Sequence, residues 1–410
     1  MRNLAAFAVI AAVLMQPALA QSPAESLAAR LTTICATAPG GTDLFVRCAE
    51  IFASTDPLAR LIAATGQRLD EIPGQARVAT RDVSRPLAAK RVSVSYRDPG
   101  SVPDSSNPAL LSLTAREEGG LVVPWSLFFS ADIGRIKRKI SRNEAAFDAG
   151  TGSVTAGIDW QAGKHWQIGA AANHVRENLD FSRSGSEAST RFTGLLATAS
   201  RSLGQAWSLN AYYGRFRGGY RLSRNIAYSL ALPAGPLNFS AQAKASPAAQ
   251  RRVSGLALNG QWSGSGWDLG VVAGMDQTET RIDAYAETGG RGLDLAVPGR
   301  SVDTRRGRVD LTLGRTFSST HGVFQPSLRL GWRREFSNPR RPVSVSLVED
   351  PLRNSIRFDT EDPDRTWGEL ALGGVMTLTG GHSGFLELRQ RVAHSFLRER
   401  MFALGWRIEL

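Results

Sequence analysis

Apolar and polar residues alternate with a period of two on either side of Trp160-Gln-Ala-Gly-Lys-His-Trp166. Backwards from Trp160 run Ile158, Ala156 and Val154, and forwards from Trp166 run Ile168, Ala170 and Ala172. Between them stand Asp159, Gly157 and Thr155, then Gln167, Gly169, Ala171 and Asn173. One face of this hairpin is apolar and the other is polar or tiny. The same period predicts a first strand on Trp125, Leu127, Phe129, Ala131 and Ile133, a fourth over about 190–203, and a fifth on Trp207, Leu209, Ala211 and Tyr213. Further strands are centred on Leu256, Leu258 and Trp262; on Trp267, Leu269 and Val271; on Val309, Leu311 and Leu313; and on Phe324, Leu328 and Leu330. The last three carry Leu370, Leu372 and Met376; Leu386, Leu388 and Val392; and Phe402, Leu404, Trp406, Ile408 and Leu410.

The twelve segments are joined by turns that alternate in length. Those at 161–165, 204–206, 263–266, 318–322 and 379–383 are short. Those near 134–150, 175–189, 217–250, 278–305 and 335–365 are long, with a shorter one at 394–399. An even strand number with alternating turn lengths is the pattern of a bacterial membrane barrel, whose short turns face the periplasm. Trp160, Trp166, Trp207, Trp262 and Trp267, with Phe317, Phe324 and Phe385, sit beside the short turns and predict an aromatic belt at one membrane interface. Asp159, Asp268, Asp310, Arg329, Arg333, Glu369, Glu387, Arg389, Arg391 and Arg407 fall on the opposite parity and should face the lumen. A soluble β-sandwich would bury the apolar parity equally well, but gives no reason for the belt or the turn alternation.

Residues 1–20 read as a signal peptide: Arg2, an apolar run from Leu4 to Met15, and the small-residue ending Ala18-Leu-Ala20. The run is shorter than the ~20 residues a spanning helix needs. An exported chain that enters lipid must then do so as closed strands. Over 21–72, Ser22-Pro-Ala-Glu25 is a capping box that starts a helix with Leu27, Leu31 and Ile34 on one side. A second helix follows near Asp43, carrying Leu44, Phe45, Cys48, Ile51 and Phe52, and a third near Asp56-Pro57. Cys35 and Cys48 are the only cysteines of this exported chain and predict a disulfide that staples a small helical head. Residues 73–124 read as a linker, part of which enters the lumen. The fold expected is all-β and transmembrane: a 12-stranded antiparallel outer-membrane β-barrel with a small α-helical N-terminal region.

Composition adds charge. The net charge is +12, and only five of the 49 basic residues are Lys. Nucleic acid is not expected outside the cell, so the natural anions are phosphates of outer-leaflet lipid, which Arg binds in bidentate fashion. None of His174, His382 and His394 has the His-x-Ser spacing of a barrel lipase, and no G-x-S-x-G elbow occurs. No catalytic, metal or cofactor residue is predicted. Asp359-Thr-Glu-Asp-Pro-Asp364 lacks the glycine and terminal glutamate of a calcium loop. Gly289-Gly-Arg-Gly292 reads as a flexible turn. The competing readings are a porin-like diffusion channel, a surface-binding role for the basic stretch 217–251, and, behind these, an outer-membrane hydrolase (phospholipase or protease).

The barrel strands, the Gly-Ile-Asp-Trp…Trp-Gln-Ile-Gly-Ala-Ala hairpin (157–172) and the terminal Phe402-Ala-Leu-Gly-Trp-Arg-Ile-Glu-Leu410 resemble the translocator β-domain of the autotransporter family. The resemblance implies an outer-membrane barrel, delivered by periplasmic chaperones to the barrel-assembly machinery, that brings an upstream segment to the cell surface. It implies an assembly signal on Phe402, Trp406, Ile408 and Leu410, with Leu410 where the family usually has Phe or Trp. Two departures argue against a cleaved, secreted passenger: residues 21–124 show no solenoid repeats, and no Asn-Asn pair precedes Trp125.

Overall fold

The computed structural model describes residues 30–54 and 125–409, except 142–143, 164, 182–183, 321, 338–341, 359, 361–363 and 379. The signal peptide, the third helix, the linker 73–124 and Leu410 lie outside the described residues. Residues 30–35 are helical, and helix α1 spans Asp43–Ala53, with Thr42 Oγ1 accepting from the Phe45 amide as its N-cap. The strands in chain order are β1 (Trp125–Arg138), β2 (Phe147–Ala162), β3 (Trp166–Phe181), β4 (Ser186–Ser202), β5 (Trp207–Leu232) and β6 (Gly235–Ala245). Then come β7 (Ala248–Gly264), β8 (Trp267–Ile282), β9 (Tyr285–Ala286), β10 (Leu295–Val297), β11 (Arg300–Arg315) and β12 (Phe317–Ser319). The last are β13 (Gly322–Glu335), β14 (Val343–Leu347), β15 (Ile356–Phe358), β16 (Thr366–Leu378), β17 (His382–Val392) and β18 (Leu397–Glu409).

Twelve of these form one closed antiparallel barrel. Its order is β1-β2-β3-β4-β5-β7-β8-β11-β13-β16-β17-β18, and β18 pairs back onto β1 from Ser126↔Glu409 to Arg138↔Leu397. Strand β12 prolongs β11 past Thr316. The strands are staggered, as closure requires. A register line from Trp125 through Trp160, Ile168, Ala199, Ala211, Leu256, Met275 and Gly307 to Arg334 and Thr366 climbs from the short turns to the long loops. Residues at one height therefore step down by about one position per strand.

The predicted exterior residues do face out. Trp125, Leu127, Phe129, Ile158, Leu256, Leu311, Leu330, Leu372, Leu388 and Leu404 are all exposed, as lipid-facing side chains of a bare barrel must be. A charge placed there should be costly. Leu311→Arg, at mid-height on β11, is expected to lose about 2–4 kcal/mol in urea unfolding from vesicles, whereas Ser301→Arg, above the apolar band, should lose no more than about 1.

The barrel strands, 11 to 26 residues long, are longer than the ten or so expected, and the reason is an inversion of polarity along them. On β3 the outward side runs Ile168, Ala170, Ala172 and then His174, Arg176, Asn178, Asp180, while the inward side runs Asn173 and then Val175, Glu177, Leu179, Phe181, apolar but for Glu177. The lower storey is apolar outside and polar inside, as lipid demands. The upper storey, beyond the hydrocarbon, is polar outside and encloses a core of Phe147, Leu179, Phe181, Phe192, Phe216, Tyr220, Val253 and Ile282. The stretch 175–189, expected to be a loop, is mostly strand: β3 runs to Phe181 and β4 begins at Ser186. The stretch 217–250 is likewise no loop but a hairpin arm, in which β6 folds back on the outer half of β5 from Leu222↔Ala245 to Leu232↔Gly235.

Candidate functional site

Two assemblies stand out: the charged lower lumen and the cap over its long-loop end. In the lumen, the ionisable residues on the inward parity pair with carboxylates on the adjacent strand or the next but one. Arg333 reaches Asp310 at 2.6 Å and Glu369 at 3.0 Å. Arg329 reaches Glu387 at 2.6 Å, Arg407 reaches Asp159 at 3.2 Å, and Arg391 pairs with Glu399. Near the short turns, Asp268 accepts from Ser263, Thr316 Oγ1 and Gln325 Nε2. All ten inward charges expected from parity stand on this wall. Phe385 is a correction. It lies on the same parity as Glu387 and packs with Val323 and Val375 inside the barrel, so it leaves the belt.

Trp160, Trp166, Trp207, Trp262 and Trp267 are outward and about two-fifths exposed, all at the short-turn end. Trp125 stacks on Trp160 at 5.9 Å, and Trp207 meets Trp262 edge to face at 5.3 Å. Phe402 and Trp406 face the same way, with Trp406 Nε1 donating to His382 Nδ1 at 3.3 Å, and Ile408 pairs with Leu127. His174 and His394 are occupied by structural contacts. His174 Nδ1 lies 2.7 Å from Thr193 Oγ1. His394 Nδ1 accepts from the Phe396 and Leu397 amides, and the Ser395 amide donates to the Asp364 carboxylate, stapling the last outer turn. Among the described residues no group of His, Cys, Asp and Glu could hold a metal ion.

The cap is built from the head and three outer segments. Cys35 and Cys48 are disulfide-bonded with their Cα atoms 5.4 Å apart, joining the helical residues 30–35 to α1. Leu31, Ile34, Leu44 and Cys48 form one buried cluster with Leu295, Val297, Val343, Val345, Leu347, Ile356 and Phe358 of the small sheet β9-β10-β14-β15. Ile51 enters a second cluster with Ile226, Tyr228, Leu230 and Phe239 of the β5–β6 arm and Leu293. Phe45 and Phe52, grouped with the core face by spacing alone, point outward instead. The Leu44 amide donates to Glu349 Oε2 at 2.7 Å, and Arg47 lies over the Phe239 ring at 4.5 Å. Gly292, with φ +91°, makes this approach possible, since a Cβ there would strike the Leu44 amide nitrogen.

Arg224 ties the arm to the sheet. Only 1% exposed, it pairs with Glu287 and donates to the Leu293 carbonyl at 2.8 Å. Burial pushes the Tyr285 phenol up to about 12, so it stays neutral between the two cores. Burial also raises the Glu50 carboxyl, against the pull of Arg47 and Arg291. The head docks through the two apolar clusters, to which the Leu44–Glu349 hydrogen bond adds a polar contact. The basic stretch 217–251 is not one surface: Arg224 and Arg251 are buried, while Arg215, Arg217 and Arg221 face outward on β5. The docking of the head was beyond sequence reasoning, because Ile34 and Leu347 share no local pattern.

Comparison with known proteins agrees with this architecture. The family model described as Autotransporter beta-domain matches residues 127–389. The fold is similar to the translocator domain of autotransporter NalP from Neisseria meningitidis, at 16% identity over 70% of this chain and 89% of that one, with a TM-score of 0.53. It is similar to the beta domain of the Bordetella autotransporter BrkA, at 16% identity over 70% of this chain and 100% of that one, with a TM-score of 0.50. No curated relative matches by sequence.

Proposed function

Because this chain belongs to the autotransporter β-domain family and is an outer-membrane barrel, we propose that it carries its own N-terminal segment across the membrane and holds it, uncleaved, against the outer mouth. The action is transport and docking, not catalysis. One observation supports it above the others. Residues 30–54 pack on the long-loop end, whereas Trp125 opens β1 at the short-turn end beside Trp160. The chain between Ser54 and Trp125 must pass from one side of the bilayer to the other. A polar route exists only inside the barrel, since unpaired backbone is not tolerated in hydrocarbon. The charged lower lumen supplies that route. The diffusion-channel alternative is disfavoured by the apolar core of the upper storey and by the head seated above it.

In this reading the five tryptophans form the inner-interface belt. The barrel-assembly machinery reads Phe402, Trp406, Ile408 and Leu410 before β18 zips to β1. An epitope inserted at the exposed Gly40–Gly41 turn tests display. Antibody should bind it on intact cells as well as it binds an epitope in the 393–396 turn. Detection only after the outer membrane is permeabilised, as for an epitope in the 265–266 turn, would refute the proposal.

A further inference from the structure

The upper outer wall carries arginines placed against one another. Arg176 of β3 stands directly across from Arg191 of β4, and Arg215 of β5 directly across from Arg252 of β7. All four point outward, and Arg217 lies between the pairs, opposite Thr193. Corrected for stagger, the five fall within about three residues of one height, immediately above the apolar band. Like charges directly opposed across antiparallel strands destabilise a sheet. The lumen avoids this by giving Arg329, Arg333, Arg391 and Arg407 a carboxylate each. On the outer wall, Arg252 has only Glu279 at 3.8 Å, and Arg191 and Arg217 have no carboxylate partner among the described residues. At the seam Arg135 also stands opposite Arg400, but there Asp148 pairs with Arg135 and relieves the opposition.

Opposed guanidinium groups at a lipid headgroup boundary call for a bridging anion. Phosphate suits them, because the guanidinium fork binds it in bidentate fashion. The Arg176–Arg191 and Arg215–Arg252 pairs are two strand spacings apart, about 10 Å, the scale of a disaccharide phosphorylated at both ends. Tyr213 Oη accepts from Arg215 Nε at 2.7 Å and fixes one fork. Directly opposite Arg215 on β4 is Leu195, 72% exposed, where acyl chains would lie. We propose that this patch is a binding site for a bis-phosphorylated glycolipid of the outer leaflet. One phosphate sits between Arg176 and Arg191, and the other among Arg215, Arg217 and Arg252. The proposal needs only the outer-membrane location, not the displayed head.

The test uses the full chain in neutral detergent, titrated with bis-phosphorylated lipid A, its dephosphorylated form or inorganic phosphate, and read by native mass spectrometry and melting. The variant Arg191→Gln/Arg217→Gln should bind lipid A at least tenfold more weakly. Arg201→Gln/Arg315→Gln, which loses the same charge beside Trp166 and Trp267 at the other interface, should bind as the parent does. Without lipid, Arg191→Gln should melt above the parent, because an opposition of like charges is gone; with lipid A the order should reverse. Equal lipid affinity in the patch variant, an equal loss in the control variant, or full stabilisation by the dephosphorylated lipid or by free phosphate would each overturn the proposal.

Discussion

Arg333→Met is expected to lower the stability of the folded barrel by about 3 kcal/mol, the lower end of the range for breaking a buried ion pair, because the lumen is wetter than a protein core. Arg333 is only 8% exposed and is shared by two carboxylates, Asp310 at 2.6 Å and Glu369 at 3.0 Å. Its Nη1 also donates to the Trp332 carbonyl at 3.1 Å. Methionine keeps the length of the stem and removes the charge, so two carboxylates face each other across one strand with nothing between them. Urea unfolding in vesicles, followed by the gel shift between folded and unfolded barrel, measures the loss. The triple variant Arg333→Met/Asp310→Asn/Glu369→Gln should recover most of it, since neutral amides leave no stranded charge. If the triple variant is as unstable as the single one, the lumen ion pairs are not what holds β11, β13 and β16 in register.

Ile34→Ala should release the head and leave the barrel closed. Ile34 is fully buried in the cluster shared with Leu44, Leu295 and Leu347. A truncation of this kind costs about 2–5 kcal/mol. At ~1.4 kcal/mol per factor of ten, a loss of about 3 raises the undocked population more than a hundredfold. Tryptic cleavage after Arg47, now shielded against Phe239, should accelerate by a similar factor if opening is fast relative to cutting. The main unfolding transition should not move. Slow cleavage in the variant would mean that the disulfide and the Glu349 contact hold the head without the apolar cluster.

Much of the lower storey was legible in the sequence, because lipid imposes one rule on every outward residue. Leu127, Ile158, Leu311 and Leu404 obey it, and so do Asp159, Asp310 and Arg407 on the other parity. Phe385 was misassigned because nearness to a short turn was allowed to outweigh parity. Strand ends were misplaced for a physical reason. Above His174 the solvent changes from hydrocarbon to water, so the apolar side of β3 passes from the outer face to the inner, and a search for one continuous stripe stops there. The Cys35–Cys48 bond was legible from cysteine number and export alone. The cap was not, since it joins residues 31–51 to residues 226–358 through contacts that no local period encodes.

The bond between Cys35 and Cys48 also constrains the order of events. An oxidising periplasm would close that loop before the segment departs, so a doubled chain, not a single extended thread, must pass the barrel. Under the proposed reading, the leading hairpin crosses as a pre-tied knuckle, and the seating of Ile34 and Ile51 among the outer segments then holds it where it emerged.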